Sequence, residues 1–158
     1  MTDTVDKTTR SRIMRSVPRA HTKPECALRL PLHAMGFRYR LGGCRLHGSP
    51  DLVLARFNGA IFVHGCFWHR HYECRYATTP STRTEFWQAK FAANIARDSA
   101  VQGSLLKAGW RVATIWECAL RKPEQVAAAV DQLSTWLFTE VDTLEVGESE
   151  VTALPRGS

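Results

Sequence analysis

Side chains that could do chemistry are crowded into the stretch VHGCFWHRHYEC, from Val63 to Cys74. Within it, Cys66, His71 and Cys74 have the spacing C-x4-H-x2-C, and Cys118 lies farther along the chain. Thiolate and imidazole ligands of this kind suit the tetrahedral coordination of a structural zinc ion. The pattern therefore predicts a zinc site held by these four residues, with plain burial of the cysteines as the alternative.

A second metal site, built from oxygen ligands, is predicted nearby. The runs DLVLARF and AIFVHG are strand-like, and Asn58 and Gly59 between them are typical of a β-hairpin. Such a hairpin places Asp51 beside Val63 and His64. A carboxylate at Asp51 and the backbone carbonyl of Val63 could bind the hard divalent cation that phosphodiester hydrolysis needs.

Two histidines, His64 and His69, stand close to these predicted cation ligands in the sequence. Imidazole exchanges a proton near neutral pH, so either ring could act as an acid or a base beside Asp51. The alternative is that both are ordinary loop histidines. Three residues of the same stretch receive no predicted role: Arg70, Tyr72 and Glu73.

The elements that must position these side chains follow from periodicity. A helix is predicted to begin at Pro24, with Thr22 as its cap and an interruption at Pro31. Helical periodicity over residues 83–107, a buried strand over WRVATIWEC and a closing helix opened by Pro123 come next. With the hairpin, these elements predict an α/β or α+β fold in which helices flank a mixed sheet with a central antiparallel hairpin and a zinc-stabilised loop.

One domain with a basic N-terminal arm is predicted for residues 1–140, and its first residues, MTDTVDKTTRSR, lack the apolar core that a signal peptide needs. Residues 141–158 lose periodicity and gain acid, which predicts a disordered acidic tail. The longest apolar runs are far shorter than the ~18 to 20 residues of a membrane helix, so a cytoplasmic protein is expected. Five cysteines argue against a disulfide framework. Cys26 and Cys44 are expected to be simply buried.

The charge distribution predicts an anionic partner. The chain holds 21 Lys and Arg against 15 Asp and Glu, and residues 1–50 alone hold ten basic and three acidic side chains, a net of +7. Arg12 and Arg15 lie on one face of a short N-terminal helix or arm in this basic region. Phosphate backbones are the commonest partner of such a surface, and a basic surface that only aids solubility is the alternative.

Five blocks of the sequence, in this order, carry a resemblance to a known family: TRSRIMRS, SPDLV, IFVHGCFWHRH, TRTEFWQAKFAANIARD and GWRVATIWECALR. Across residues 7–138 the chain resembles the very short patch repair (Vsr) endonucleases. The resemblance implies a restriction-endonuclease-like fold, a structural zinc ion and a magnesium-dependent active site. It also implies an enzyme that nicks DNA 5′ to the thymine of a T·G mismatch left by deamination of 5-methylcytosine.

The resemblance also implies catalytic roles. Asp51 becomes the magnesium ligand, joined by the backbone carbonyl of Val63, and His69 becomes the general base, oriented by Asp98. His64 and Glu25 would hold metal-bound water or steady the scissile phosphate. The four zinc ligands are those that the spacing predicts.

DNA contacts follow from the resemblance in the same way. Phe67, Trp68 and Trp87 correspond to aromatic residues that wedge into the base stack, and Met14 to a residue that enters from the minor groove. Lys90 and Asn94 correspond to positions that read base edges. Arg12 and Arg15, in the basic N-terminal arm, are also expected to bind DNA. The implied partner is double-stranded DNA with a T·G mismatch, bound by a monomer near the nucleoid, with mismatch-repair proteins and a cytosine methyltransferase as further partners.

The sequence departs from the family pattern in a few places. Tyr72 and Glu73 make the spacing between His71 and Cys74 one residue longer, and Val63 stands in place of a threonine, which a backbone ligand tolerates. The segments PRAHTKPE and LGGCRLHG also differ, so the preferred flanking bases are not predicted. Two alternatives stay open: a restriction-type endonuclease that cuts matched DNA, and a zinc-stabilised DNA-binding module without catalysis.

Overall fold

A mixed β-sheet forms the centre of the protein. The computed structural model describes residues 22–42 and 46–148 and the backbone of 151–154, and within this part of the chain six strands form one sheet in sequential order. The first three strands are antiparallel, β3, β4 and β5 are parallel, and β6 is antiparallel to β5. The strands are β1 (Arg40–Leu41), β2 (Leu52–Leu54), β3 (Gly59–His64), β4 (Arg111–Trp116), β5 (Thr143–Val146) and β6 (Val151–Leu154).

The predicted central hairpin is confirmed, with a different turn. Strands β2 and β3 pair antiparallel, with Leu52 opposite Ile61 and Leu54 opposite Gly59. The connection is a short 3₁₀ helix, Ala55–Phe57, followed by Asn58 at φ +52°. The two-residue Asn-Gly turn expected from the sequence is therefore wrong, because Gly59 already belongs to β3. Asn tolerates this left-handed conformation better than most residues, which explains its place in the turn.

Four α-helices surround the sheet in the described part of the chain: α1 (Lys23–Ala34), α2 (Cys66–His69), α3 (Thr84–Lys107) and α4 (Pro123–Leu137). The Thr22 side chain caps α1 by accepting a hydrogen bond from the amide of Glu25 at 3.4 Å. The sequence predicts that the helix kinks or splits at Pro31, and a split there is wrong, since α1 continues through Pro31 to Ala34. None of these helices has both the length and the apolar character needed to cross a membrane.

The sheet has a helical layer on each face. Alternate residues of a strand point to opposite faces, and Ile61 and Ile115 pack with Leu28 and Leu32 of α1 and Leu133 of α4. On the other face, the buried cluster consists of Ala60, Phe62, Val112, Val101 and Leu105, the last two from α3. Helices α1 and α4 therefore cover one face and α3 covers the other, as an α/β fold requires.

Part of the predicted acidic tail belongs to the sheet. Thr143–Val146 forms β5, parallel to β4, with Leu144 and Val146 buried. The buried Arg111 holds the preceding connection, because its guanidinium donates to the carbonyls of Trp136 at 2.7 Å and of Val141 at 3.0 Å. Four alternating residues within an acidic stretch are too few to reveal a strand by periodicity. A tail that is disordered from residue 141 onward is therefore wrong.

Candidate active site and metal centre

A cleft of about 760 Å³ opens beside the ends of β3 and β4. Its walls come from the start of α1, the start of β2, the helix α2 and the middle of α3. The carboxyl and imidazole groups predicted to do chemistry all line it: Glu25, Asp51, His64, His69 and Asp98. Three of the DNA-contact residues predicted near the N-terminus, Met14, Arg12 and Arg15, lie outside the described residues, as does Cys44.

Asp51 is joined directly to the end of β3. Its Oδ2 accepts a hydrogen bond from the Val63 amide at 2.6 Å, so the adjacency expected from the hairpin is present. The N–H and C=O of one strand residue point to the same side of the strand. The Val63 carbonyl therefore faces the same edge as the Asp51 carboxyl group, which provides two oxygen ligands of the kind that a hard cation prefers.

A second carboxyl group approaches Asp51 from α1. Glu25 is only 9% exposed, and its side chain hydrogen-bonds to Asp51. Burial and the neighbouring Glu25 together raise the pKa of Asp51 to about 7, although the hydrogen bond from the Val63 amide opposes the shift. Two carboxyl groups this close share a proton, and a divalent cation could replace that proton. A cation site at Asp51 thus has a second acidic neighbour.

The histidine pair lines the same cleft. The rings of His64 and His69 are stacked, with centroids 3.8 Å apart, and His69 Nδ1 lies 2.7 Å from Asp98 Oδ2. This contact leaves Nε2 of His69 available to take a proton. Burial, followed by the charge of His69, lowers the pKa of His64 to about 4, so this ring is neutral near pH 7.

The side chains of His64, His69 and Asp98 could also hold a metal ion by themselves, since one ligand atom of each lies within 4.8 Å of the others. Their nitrogen ligands suit borderline cations such as zinc, whereas the oxygens of Asp51, Glu25 and Val63 suit magnesium. The cleft therefore contains a group of oxygen ligands at Asp51 and a group with imidazole nitrogens at His64 and His69. This arrangement favours a cation at Asp51 with a proton-transfer group in the same cleft.

The four residues chosen by spacing come together in a second, separate cluster. One ligand atom each of Cys66, His71, Cys74 and Cys118 lies within 4.8 Å of the others, and Cys118 Sγ is 3.5 Å from His71 Nδ1. Three sulfurs and one imidazole nitrogen at this separation fit tetrahedral zinc, whose ligand atoms stand roughly 4 Å apart. The residue added between His71 and Cys74 does not prevent the cluster from forming.

The local electrostatics of the cluster favour a thiolate at Cys118. The hydrogen bond from Cys66 and that from the Glu148 amide, which donates to Cys118 Sγ at 3.2 Å, help to lower the pKa of the Cys118 thiol to about 6, although burial opposes the shift. The same interaction, followed by burial, raises the pKa of Cys66. A metal ion bound to the cluster would displace the proton of the Cys66 thiol, because metal-bound cysteines are thiolates.

The aromatic residues predicted to enter DNA lie between the two clusters. Phe67 and Trp68 belong to α2 and are half-buried, and their ring centroids are 5.0 Å apart. Trp87 packs beneath them, 5.7 Å from Phe67 and 5.9 Å from Trp68, and is only 3% exposed. Its Nε1 has no hydrogen-bond partner among the described residues. Phe67 and Trp68 are therefore the accessible large rings of α2, and Trp87 supports them. Phe86 of α3, which is 46% exposed, packs on Trp87 with ring centroids 5.3 Å apart.

Lys90 and Asn94, predicted to read base edges, both contact Trp68 in this structure. The Asn94 side chain donates to the Trp68 carbonyl at 3.0 Å, and Lys90 Nζ lies 5.9 Å from the centre of the Trp68 ring. Lys90 is exposed and Asn94 is half-buried. Both residues thus hold the aromatic turn against α3 in the protein without DNA.

Arg70, which received no role from the sequence, clamps the loop that follows α2. Its guanidinium donates to the carbonyls of Phe67 at 3.2 Å, Thr78 at 2.9 Å and Ala77 at 2.9 Å and to Thr79 Oγ1 at 3.1 Å. It also lies 4.0 Å from the centre of the Phe91 ring. No sequence pattern indicates this role, because most of its partners are backbone carbonyls. Of the other two residues without a role, Tyr72 is 80% exposed at the cleft and Glu73 has φ +52°.

Comparisons with known proteins identify the family. The family described as DNA mismatch endonuclease Vsr matches residues 2–75. The chain is 40% identical to "DNA mismatch endonuclease Vsr" of Escherichia coli strain K12 over 142 residues, which cover 89% of this chain and 90% of that protein.

Two further relatives are named as nicking enzymes. "Type II nicking enzyme V.XorIIP" of Xanthomonas oryzae pv. oryzae is 42% identical over 76% of this chain and 88% of its own length. "Type II nicking enzyme V.NmeAIP" of Neisseria meningitidis serogroup A is 39% identical over 77% of this chain and 86% of its own length. With relatives matched over nearly their full lengths, the chain belongs to the Vsr family of DNA mismatch endonucleases.

Proposed function

We propose that this protein is a DNA mismatch endonuclease that nicks one strand 5′ to the thymine of a T·G mismatch arising from deamination of 5-methylcytosine. The observation that carries the proposal is the arrangement in α2 (Cys66–His69). This single turn begins with Cys66 of the metal cluster and continues with the aromatic pair, Phe67 and Trp68. It ends with His69, which lines the same cleft as Asp51. A lesion-sensing wedge and a catalytic base are thereby held at a fixed separation.

Hydrolysis needs a water molecule to attack the phosphorus and the bond from phosphorus to the 3′ oxygen to break. His69 takes the proton of the attacking water at Nε2, and Asp98 holds the ring through Nδ1 at 2.7 Å. Asp51, the Val63 carbonyl and Glu25 are the residues that would bind magnesium. Bound there, magnesium would polarise the phosphoryl oxygen and stabilise the charge on the leaving 3′ oxygen. His64 stacks on His69 and keeps it in place.

Recognition of the mismatch is assigned to the aromatic pair. Phe67 and Trp68 are large rings on a turn fixed by Asn94 and by the Cys66 cluster. A T·G wobble pair is easier to unstack than a matched pair, and inserting an aromatic wedge costs a few kcal/mol per base step. Such a wedge favours the lesion over normal DNA. Lys90, beside Trp68, and the N-terminal Met14, Arg12 and Arg15 are proposed to contact the DNA that flanks it.

The remaining features of the proposal concern the whole protein. We propose that residues 1–140 form the catalytic domain with a restriction-endonuclease-like arrangement of the sheet, and that β5 extends it. Zinc is the proposed occupant of the Cys66, His71, Cys74 and Cys118 cluster, as its sulfur-rich ligands suit this ion. The protein is proposed to act as a monomer on double-stranded DNA, in concert with mismatch-repair proteins.

A nicking enzyme for matched DNA is the second candidate, because two of the relatives are named as Type II nicking enzymes. The test uses magnesium and end-labelled duplexes that contain either a T·G mismatch or the matched C·G pair. We expect a nick in the thymine strand of the mismatched duplex alone. Cleavage of the matched duplex at an equal rate would contradict mismatch specificity, and binding without cleavage would contradict catalysis.

The role of Asp51 as a metal ligand can be tested with a variant in the same nicking assay. Asp51→Ala should abolish nicking, because the carboxylate that would bind the cation is lost, while its zinc content should equal that of the wild type. Nicking that survives in this variant would exclude Asp51 as the essential ligand.

A further inference from the structure

The segment that follows β5 passes over the Cys66, His71, Cys74 and Cys118 cluster. We propose that Gly147 and Glu148, called here the strap, are positioning residues of this metal centre that hold His71 and Cys118 in place and slow the release of the metal. This inference rests on the proposed zinc occupancy and adds residues that no ligand pattern includes.

Gly147 touches the ring of His71. A Cβ atom added to Gly147 would lie 2.7 Å from Cε1 and 2.9 Å from Nε2 of His71, and 4.0 Å from Cys118 Sγ. Separations below 3 Å are not tolerated, so either the ring or the strap would have to move. The His71 ring has little freedom to move, because it stacks on Trp116 with centroids 4.3 Å apart. The requirement for glycine is therefore imposed by the metal-ligand ring.

Glu148 is bound to the cluster at two points. Its amide donates to Cys118 Sγ at 3.2 Å, a contact that stabilises a thiolate and fixes the direction of its lone pairs. Its carboxylate forms an ion pair with Arg75, the residue that follows Cys74. The strap thus contacts the ligand Cys118 through its backbone. Through its side chain it contacts Arg75, the neighbour of the ligand Cys74.

The strap is itself anchored by the sheet. Val146, immediately before it, pairs with Ile115 in β4, and Glu145 accepts a hydrogen bond from Trp116 Nε1 at 2.7 Å. The strap, the His71 ring and Trp116 therefore form one packed unit. Through this unit, the segment beyond residue 140 stabilises the loop that carries the aromatic pair and His69.

The test compares Gly147→Ala with Gly103→Ala, a matched control on α3 where an added Cβ has nothing within 4 Å. Zinc is measured in the purified proteins, and its release to an excess of chelator is followed with a metal-sensitive dye. Gly147→Ala should release zinc at least about tenfold faster than the wild type, and Gly103→Ala should match the wild type. The cobalt-substituted Gly147→Ala protein should also show shifted absorption bands, which a general loss of stability would not produce.

Glu148→Ala is the second variant, and it decides the question if Gly147→Ala does not fold. It removes the ion pair with Arg75 and should speed zinc release about two- to fivefold. The proposal would be overturned if the strap variants that fold released zinc at the wild-type rate and gave wild-type cobalt spectra. A wild-type protein that binds no zinc would overturn the zinc assignment and the strap together. If the protein did not nick mismatched DNA, the zinc release rates of the variants would still test the role of the strap. Failure of the strap proposal can therefore be distinguished from failure of the proposed function.

Discussion

His69 Nδ1 lies 2.7 Å from Asp98 Oδ2, although the two residues come from different elements, α2 and α3. The contact leaves Nε2 free of Asp98, and His69 lines the same cleft as Asp51. The position of the proposed general base therefore depends on how α2 packs against α3. It does not depend on the histidine alone.

Asp98→Asn should slow nicking on the order of a hundredfold or more, because the amide no longer stabilises the protonated ring and can select the other tautomer. Single-turnover nicking of the T·G duplex measures this effect. Binding of the duplex should be unchanged, and Asp131→Asn, an exposed position on α4, should nick at the wild-type rate. A wild-type rate in Asp98→Asn would show that His69 needs no orienting carboxylate.

Cation binding should depend on pH through Asp51 and Glu25. The raised pKa of Asp51, about 7, means that the pair retains a proton below this pH, and the proton must leave when a cation binds. Apparent affinity should therefore rise about tenfold per pH unit below about pH 7 and level off above it. Manganese binding followed by electron paramagnetic resonance, from about pH 5 to about pH 8, measures this.

Glu25→Gln is the control for this pH dependence. The variant removes the neighbouring acid that raises the pKa of Asp51, so the levelling-off should move to lower pH. An affinity that does not change with pH in the wild-type protein would contradict the shared proton. Asp51→Asn should lose the site itself.

The loss of one cluster ligand should remove the metal and lower stability together. Cys118→Ser replaces a buried cysteine in the short 3₁₀ helix that follows β4, so the zinc content should fall and the melting temperature should decrease. Metal analysis and thermal unfolding measure the two effects. Cys26→Ser, outside the cluster, should retain its zinc. A zinc-free Cys118→Ser protein as stable as the wild type would refute a structural role for the metal.

The hairpin and α3 could be predicted from the sequence because their signals are local. Period-two and period-3.6 patterns determine which residues face the core, and the hairpin then brings Asp51 to Val63 without further information. The cysteine and histidine spacing likewise selected the residues that the fold brings together. Each of these predictions needs only the pattern of a short stretch of chain or the known preference of a metal ion for cysteine and histidine ligands.

The remaining features depend on contacts between distant segments. Glu25 reaches Asp51 because α1 packs on the sheet, and no local pattern indicates which acid will do so. The burial of Trp87 depends on where α2 folds against α3. The strand β5 escaped prediction because its four residues lie in an acidic stretch. The clamp formed by Arg70 uses backbone carbonyls, which leave no trace in the sequence.

Arg70→Lys should destabilise the protein by about 1–3 kcal/mol, because a lysine cannot replace the planar fork that binds several acceptors of the 77–79 loop. Denaturant unfolding measures the loss. Arg97→Lys, at an exposed position of α3, serves as the matched control and should change stability by less than about 0.5 kcal/mol. Equal stability of the two variants would show that the clamp is not needed to hold the loop.

Trp68→Ala should reduce discrimination between mismatched and matched DNA more than it reduces stability. The ring is half-buried at the surface of the aromatic cluster, so its removal leaves Phe67 as the one accessible large ring of α2, because Trp87 is buried. With the larger ring of the proposed wedge lost, the difference in free energy between unstacking a T·G pair and a matched pair contributes less to the choice of substrate. The ratio of nicking rates on the two duplexes should fall roughly tenfold to a hundredfold. Phe138→Ala, which removes an aromatic ring that is 73% exposed and packs against Phe57, should leave the ratio unchanged. An unchanged ratio in Trp68→Ala would assign mismatch sensing to residues outside α2.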